Sequence, residues 1–208
     1  REWVTEVSFK NDSTQLTDMI TFDQWGEFLL PGKYDVSVSI AAENNPATGS
    51  METQINVKEM NEAFLNISDI QFIFKTEDIV ENSIFTKAGK NVFPNVWRRY
   101  GVLNPKLTFY YEIYEIDTTI NQPLLIDYNV YSLEKKPVKR ISNLEITRTG
   151  KERSVIHAID ISTLPSAVYQ LEISVSDSYS GTSANVNNNF EVVQLDRLQA
   201  SSNLSGDD

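Results

Sequence analysis

With one histidine and no cysteine in 208 residues, the chain has few ways to assemble a reaction centre. A serine triad, a His-ligated zinc or an imidazole general base would each have to use His157. Thiolate nucleophiles, thiolate metal sites and disulfides are excluded outright. His157 falls on the apolar side of an alternating run with Val155, Ile159 and Ile161, where a structural, hydrogen-bonded imidazole is expected. Carboxylates are plentiful but scattered: Glu112 and Glu115 flank one alternating segment, and Asp160 and Asp177 lie near the ends of two others. Glycoside hydrolysis needs two carboxyl groups facing across a cleft, which spacing along a chain does not establish. A calcium loop needs several closely spaced Asp or Asn ligands around a turn glycine. Asp177-Ser178-Tyr179-Ser180-Gly181 offers one carboxylate and reads as a hairpin turn, and the amides of Asn185–Asn189 make weak metal ligands. There is no glycine-rich phosphate loop, so neither a metal nor a cofactor is expected.

The unusual stretch is Phe93-Pro94-Asn95-Val96-Trp97-Arg98-Arg99-Tyr100-Gly101, followed by Phe109-Tyr110-Tyr111-Glu112-Ile113-Tyr114. Arginine beside Trp and Tyr suits stacking and bidentate pairing with carboxylates, and these residue types dominate interface hot spots. Trp97, Arg98, Arg99 and Tyr100 are therefore the candidate recognition residues, for a protein or a glycan. The competing reading is a long loop that packs its aromatics over a strand while an arginine pairs with Glu112 or Glu115.

Composition narrows the partners. Eighteen basic residues against twenty-nine acidic ones leave a net charge of −11. Phosphate neutralisation needs clustered Lys and Arg, and the close pairs Arg98-Arg99, Lys135-Lys136 and Lys139-Arg140 are too few for a nucleic-acid surface. No apolar run approaches the roughly 18 residues of a membrane-spanning helix. The chain begins at Arg1 without a signal-peptide pattern, which suggests a piece of something longer.

Period-two alternation dominates, placing one side-chain set inward and the other outward. The expected strands are Trp3–Phe9, Ile20–Phe22, Tyr34–Ile40, Thr53–Val57, Ile70–Lys75, Leu107–Ile116, Leu124–Leu133, Leu144–Arg148, Val155–Ile161, Leu171–Val175 and Phe190–Val193. Turn signals such as Pro31-Gly32, Asn104-Pro105 and Ser180-Gly181 separate them. One phrase occurs twice: Leu30-Pro31-Gly32-Lys33-Tyr34 before Val36–Ile40, and Leu164-Pro165 with Tyr169 before Leu171–Val175. A tyrosine at this place resembles the tyrosine corner of Greek-key sandwiches, where the hydroxyl bonds back to nearby backbone. The expected fold is all-β, with tandem immunoglobulin-like Greek-key sandwich units. Residues 1–60 read as the C-terminal part of a first, incomplete unit ending in a turn through Asn44 to Ser50, 61–67 as a linker, 68–194 as a complete sandwich and 195–208 as a polar, disordered tail.

Leu30-Pro31-Gly32 with Tyr34, Ile67-Ser68-Asp69-Ile70, Phe93-Pro94-Asn95 with Arg99-Tyr100, Tyr111-Glu112-Ile113-Tyr114, and Tyr169 with Asp177 and Ser180-Gly181 resemble, in that order, the β-rich region of bacterial GWxTD-domain proteins. The resemblance spans about Leu29 to Val193 and lacks the Gly-Trp-x-Thr-Asp motif itself. It implies an exported bacterial protein of the periplasm or outer envelope, and it brings no reaction. The sequence thus points to a non-enzymatic module that mediates protein contacts in an envelope assembly. The alternatives are a carbohydrate-binding module using the same aromatics, and a hydrolase with paired carboxylates.

Overall fold

The computed structural model describes residues 24, 26–42, 45–60, 64–80, 83–102 and 104–195. All thirteen of its named elements are β-strands, as the alternation predicts. The expected strands Trp3–Phe9 and Ile20–Phe22 lie outside the described residues, as does the expected tail beyond Leu195.

Strands β1 (Gly32–Ala42) and β2 (Asn45–Val57) form a two-stranded antiparallel hairpin. The polar stretch from Asn45 to Ser50, expected as a turn, is the first half of β2. Strand pairing along a hairpin is a backbone property, so polar residues are carried into the ladder when the register demands it.

The sandwich consists of β3 (Asn66–Ile67), β4 (Gln71–Glu77), β5 (Thr86–Lys87), β6 (Lys90–Pro94), β7 (Arg99–Gly101), β8 (Lys106–Tyr114), β9 (Leu124–Ser132), β10 (Pro137–Ile146), β11 (Arg153–Asp160), β12 (Ala167–Asp177) and β13 (Thr182–Val193). One sheet has the order β11-β8-β4-β6-β5, with β3 also paired to β8, and the other β10-β9-β12-β13-β7. The chain changes sheet between β8 and β9, between β10 and β11, and between β11 and β12, which makes a Greek key of immunoglobulin type. Its opening strand is split: β3 and β4 run antiparallel to β8, whereas β7 crosses over and lies parallel to β13. Leu65 and Ile67 are buried in the core, so the sandwich takes in residues that the sequence assigns to the linker. They are apolar and adjoin β8, and leaving them in water would forfeit their burial.

The core lies between the sheets. β8 turns Leu107, Phe109, Tyr111 and Ile113 inward, all fully buried, and β12 answers with Tyr169, Leu171, Ile173 and Val175. Each fully buried large side chain contributes roughly 1.5–3 kcal/mol. The Tyr111 and Tyr128 hydroxyls meet across the gap at 2.7 Å, so neither phenol is left unsatisfied in the apolar interior. Both tyrosine corners form: Tyr34 donates to the Leu30 carbonyl at 2.7 Å and Tyr169 to the Pro165 carbonyl at 2.9 Å. The open edge of β10 carries Pro137, Lys139, Arg140 and two register shifts, features that discourage pairing with another sheet.

Gly101 closes the β7–β13 pairing. Its φ of +134° suits glycine, and a Cβ there would stand 1.9 Å from the Val193 carbonyl oxygen. Because the obstructing atom is backbone, no rotamer change relieves it. Gly101→Ala is expected to destabilise the sandwich by about 2–3 kcal/mol, read as a lower urea midpoint. An unchanged midpoint would show that β7 contributes nothing to the sheet.

Candidate functional site

The aromatic–arginine stretch is the crossover that carries the chain from β6 in one sheet to β7 in the other. Each end is tied down by hydrogen bonds. The Asn95 amide donates to the Phe72 carbonyl at 2.8 Å, and the Arg98 amide to the Asn95 carbonyl at 3.1 Å, closing a tight turn over Asn95–Arg98. Asn95 is buried and its Nδ2 donates to the Arg99 carbonyl at 2.8 Å. Arg98 sits in the left-handed region at φ +55°, a strained choice for a residue with a Cβ. It is held there as the Glu191 amide donates to its carbonyl at 2.8 Å and its Nη1 donates to Asn188 Oδ1 at 2.7 Å.

The four candidate residues separate into three environments. Tyr100 is 3% exposed and packs edge-on against Phe72 and Phe190. Its hydroxyl lies 3.0 Å from the Ile73 carbonyl and 2.9 Å from that of Thr108, and burial pushes its phenol well above the usual range. It is a core residue and cannot contact a partner. Arg99 Nε pairs with Glu191 Oε2 at 2.7 Å on the outer surface, so the arginine pairs expected at Glu112 or Glu115 form with β13 instead. The crossover lies beside β13, whereas Glu112 is on a different sheet. Trp97, with Val96, stands out at the tip of the turn, 55% and 61% exposed.

Glu112 belongs to a cluster that the sequence did not reveal. On the outward side of β8, the Tyr110 and Tyr114 hydroxyls both donate to its carboxylate, and Ser154 Oγ lies 3.3 Å from the Tyr110 hydroxyl. Lys87 of β5 reaches over the Tyr110 ring and donates to Gln71 Oε1 at 2.5 Å. Burial, reinforced by Glu112, pushes the Tyr110 phenol up to about 12. Two phenols already occupy the carboxylate, and the period-two spacing of Tyr110, Glu112 and Tyr114 is the one signal that places them on a common face.

His157 stacks flat on Tyr128, 4.4 Å between ring centroids, and lies 5.8 Å from the Phe109 ring. The hydrogen bond expected of the imidazole is not made at Nε2, which is buried without a partner among the described residues. Desolvation lowers its pKa from the ordinary 6.5.

Carboxylates do meet at one end of the sandwich. Glu115, Asp117 and Asp177 line a cavity of about 130 Å³ with Arg148, Ser180 and Thr182. No three acidic, histidine or cysteine side chains converge on one point among the described residues. Arg148 Nη2 lies 2.7 Å from Asp177 Oδ1, with side chains 3% and 6% exposed. The guanidinium also donates from Nε to the Gln122 carbonyl at 2.6 Å and from Nη1 to that of Asp117 at 3.2 Å. Burial raises the Asp177 pKa, but Arg148, the Ser180 hydroxyl and two backbone amides outweigh it, and the carboxyl is held below its ordinary 3.8. Asp117 is lowered too, chiefly by Thr119. Arg148 thus ties the β10–β11 loop to the end of β12 and to the β8–β9 loop.

No protein-family model matches the chain, and no curated protein matches it in sequence. Among solved structures it is similar to the Parabacteroides merdae β-glucuronidase, at 12% identity and a TM-score of 0.30 over 61% of this chain and 14% of that one. It is also similar to the Bifidobacterium dentium β-glucuronidase complexed with coumarin-3-O-glucuronide, at 12% identity and a TM-score of 0.32 over 69% of this chain and 19% of that one. The chain thus spans less than a fifth of either enzyme's length.

Two pH effects follow. Asp177 has a depressed folded value, so its stabilisation is complete above about 3.8 and fades as pH falls through that folded value. Asp177→Asn should cost about 3 kcal/mol near neutral pH by stranding Arg148, with the gap from wild type closing in acid. Urea melts across pH measure this, and a pH-independent gap would refute the clamp. His157, also depressed, stabilises above 6.5 and loses that contribution as pH falls. Its single imidazole NMR signal should titrate below 6.5, and a midpoint above that would contradict the stacked, desolvated ring.

Proposed function

We propose that this chain is a non-enzymatic β-sandwich module of an exported bacterial protein, and that it mediates protein contacts in a cell-envelope assembly. One observation carries the contact role. Val96 and Trp97 project from a turn whose flanking residues are all fixed by hydrogen bonds, an ion pair or core packing. Large apolar side chains presented on a hydrogen-bonded turn spare the cost of ordering that loop on binding, and tryptophan is among the commonest hot-spot residues. Arg98 rims the tip with positive charge that favours an acidic or polar surround on the partner, while the charge of Arg99 is paired with Glu191. The envelope location rests on the resemblance to GWxTD-domain proteins.

The carbohydrate reading draws less support. Sugar binding of this kind stacks a pyranose face on exposed aromatic platforms, and of the two candidate rings Tyr100 is buried, which leaves Trp97 alone.

The test is comparative capture from cross-linked envelope extracts of the source cells. Val96→Ser with Trp97→Ala should lose wild-type-specific partners, as expected from a hot spot worth at least about 2 kcal/mol. The melting temperature should stay unchanged because both side chains are solvent-exposed. Identical capture by the folded double variant would reject the crossover tip as the contact site.

A further inference from the structure

Lys87 and Gln71 are 16 positions apart, and the fold brings their reactive ends together on the outer side of the β8 sheet. Lys87 ends β5 opposite Lys90, across a tight turn in which Ala88 and Gly89 are left-handed at φ +47° and +74°. Gln71 opens β4 and lies opposite Tyr110 of β8. Lys87 Nζ is 2.5 Å from Gln71 Oε1. A carbonyl bond is about 1.2 Å long, so Nζ stands within roughly 3.7 Å of the carboxamide carbon Cδ. An attacking atom is poised at roughly 3–3.5 Å.

The surroundings favour attack over an ordinary hydrogen bond. Gln71 Nε2 is buried without a partner among the described residues. Nothing there holds the carboxamide in its present plane, and the terminal torsion of glutamine is soft. Lys87 is half-buried over the Tyr110 ring, 5.1 Å from its centroid, and Tyr110 shares a buried apolar cluster with Ile73 and Val92. Desolvation lowers the Lys87 pKa, against the opposing charge of Glu112, and so favours the free amine. Glu112 is the next outward residue after Tyr110 on β8 and accepts from the Tyr110 and Tyr114 phenols. A second lysine–glutamine pair in the chain differs on each count. Lys135 Nζ is also 2.5 Å from Gln170 Oε1, but that pair is exposed, and Gln170 Nε2 donates to Asn187 and Asn189. There the ammonium stays hydrated and the carboxamide is held.

We infer that Lys87 and Gln71 become joined by a spontaneous isopeptide bond, with Glu112 relaying the protons. Glu112 takes one proton from the Lys87 ammonium. The freed Nζ lone pair forms a bond to Gln71 Cδ, and the carbonyl π pair moves onto Oε1. That pair then returns, the Cδ–Nε2 bond breaks, and Nε2 leaves as ammonia with a second proton from Nζ. Glu112 passes its own proton to the ammonia, so ammonium departs and the carboxylate is restored. Nζ keeps one proton in a neutral secondary amide. The bond ties the β5–β6 hairpin to the start of β4. It restricts the unfolded chain as a disulfide would, where no cysteine is present to do so.

The test is the intact mass of the full purified chain after denaturation. It should fall short of the sequence mass by one ammonia. Trypsin should leave Lys87 uncut, so that residues 59–75 and 76–90 are recovered as one branched peptide, while Lys135 remains cleavable. Lys87→Arg, which keeps the charge, should restore the full mass and release the two peptides separately. Glu112→Gln should leave the chain at full mass, since a proton relay contributes on the order of 10²–10⁴-fold in rate, with the near-UV dichroism of the folded sandwich unchanged. A wild-type chain at full sequence mass would overturn the inference, as would an ammonia loss that persists in Lys87→Arg. Complete cross-linking in Glu112→Gln would overturn the relay.

Discussion

The sandwich depends on hiding tyrosine rings without stranding their hydroxyls. Tyr100, Tyr111, Tyr128 and Tyr169 are each at most 3% exposed, and each hydroxyl would cost on the order of 1–3 kcal/mol if buried unpaired. Every one finds a partner that also ties two parts of the fold together. Tyr111 and Tyr128 join the two sheets through one another, and Tyr169 fastens the β11–β12 connection. Tyr100, on β7 of one sheet, reaches the carbonyls of Ile73 and Thr108 in the other. The rings supply apolar area and the oxygens supply register, so the sheets can pack in few alternative ways.

Tyr100 explains why the crossover tip is rigid. With its ring in the core and its hydroxyl on the facing sheet, β7 is anchored one residue beyond Arg99. Asn95 anchors the other end through Phe72 and Arg99. The residues between have to turn sharply, and Arg98 takes the left-handed conformation that completes the turn. Trp97 is therefore exposed because its neighbours are fixed, and the same chemistry that makes the fold places an apolar group in water.

Alternation made β1, β8, β9, β11 and β12 legible, because each has one wet and one dry face and the pattern is local. The tyrosine corners were legible for the same reason: hydroxyl and acceptor are four residues apart. By contrast, β10 (Pro137–Ile146) was expected only as Leu144–Arg148 and β13 (Thr182–Val193) only as Phe190–Val193. What stayed hidden was non-local or short. β3, β5, β6 and β7 have two to five residues each, too few for a period to show. Trp97 and Tyr100 are three positions apart and of similar type, yet one is in water and the other in the core. Only the path of the crossover decides between them. The Arg148–Asp177 clamp joins residues 29 positions apart, one on the β10–β11 loop and one at the end of β12, with no spacing rule to announce it. Polar strand residues such as those from Asn45 to Ser50 were hidden because ladder register, not side-chain type, places them.

The two hairpins separate local from global causes within one chain. Matching turn phrases, matching register (Tyr34↔Ile55 against Tyr169↔Phe190) and matching apolar faces produce the same hairpin twice, so those features suffice for the hairpin itself. They do not suffice for burial, which differs by tens of percent at Ile40 and Val175. An isolated two-stranded hairpin is marginal in water, and the apolar pattern of β1–β2 has a selective logic only if something covers it. A solvent-facing hairpin would hold its register equally well with Ser or Thr at Ile40 and Met51. That these positions are apolar, in step with the core positions of β12 and β13, makes the face a surface shaped for burial.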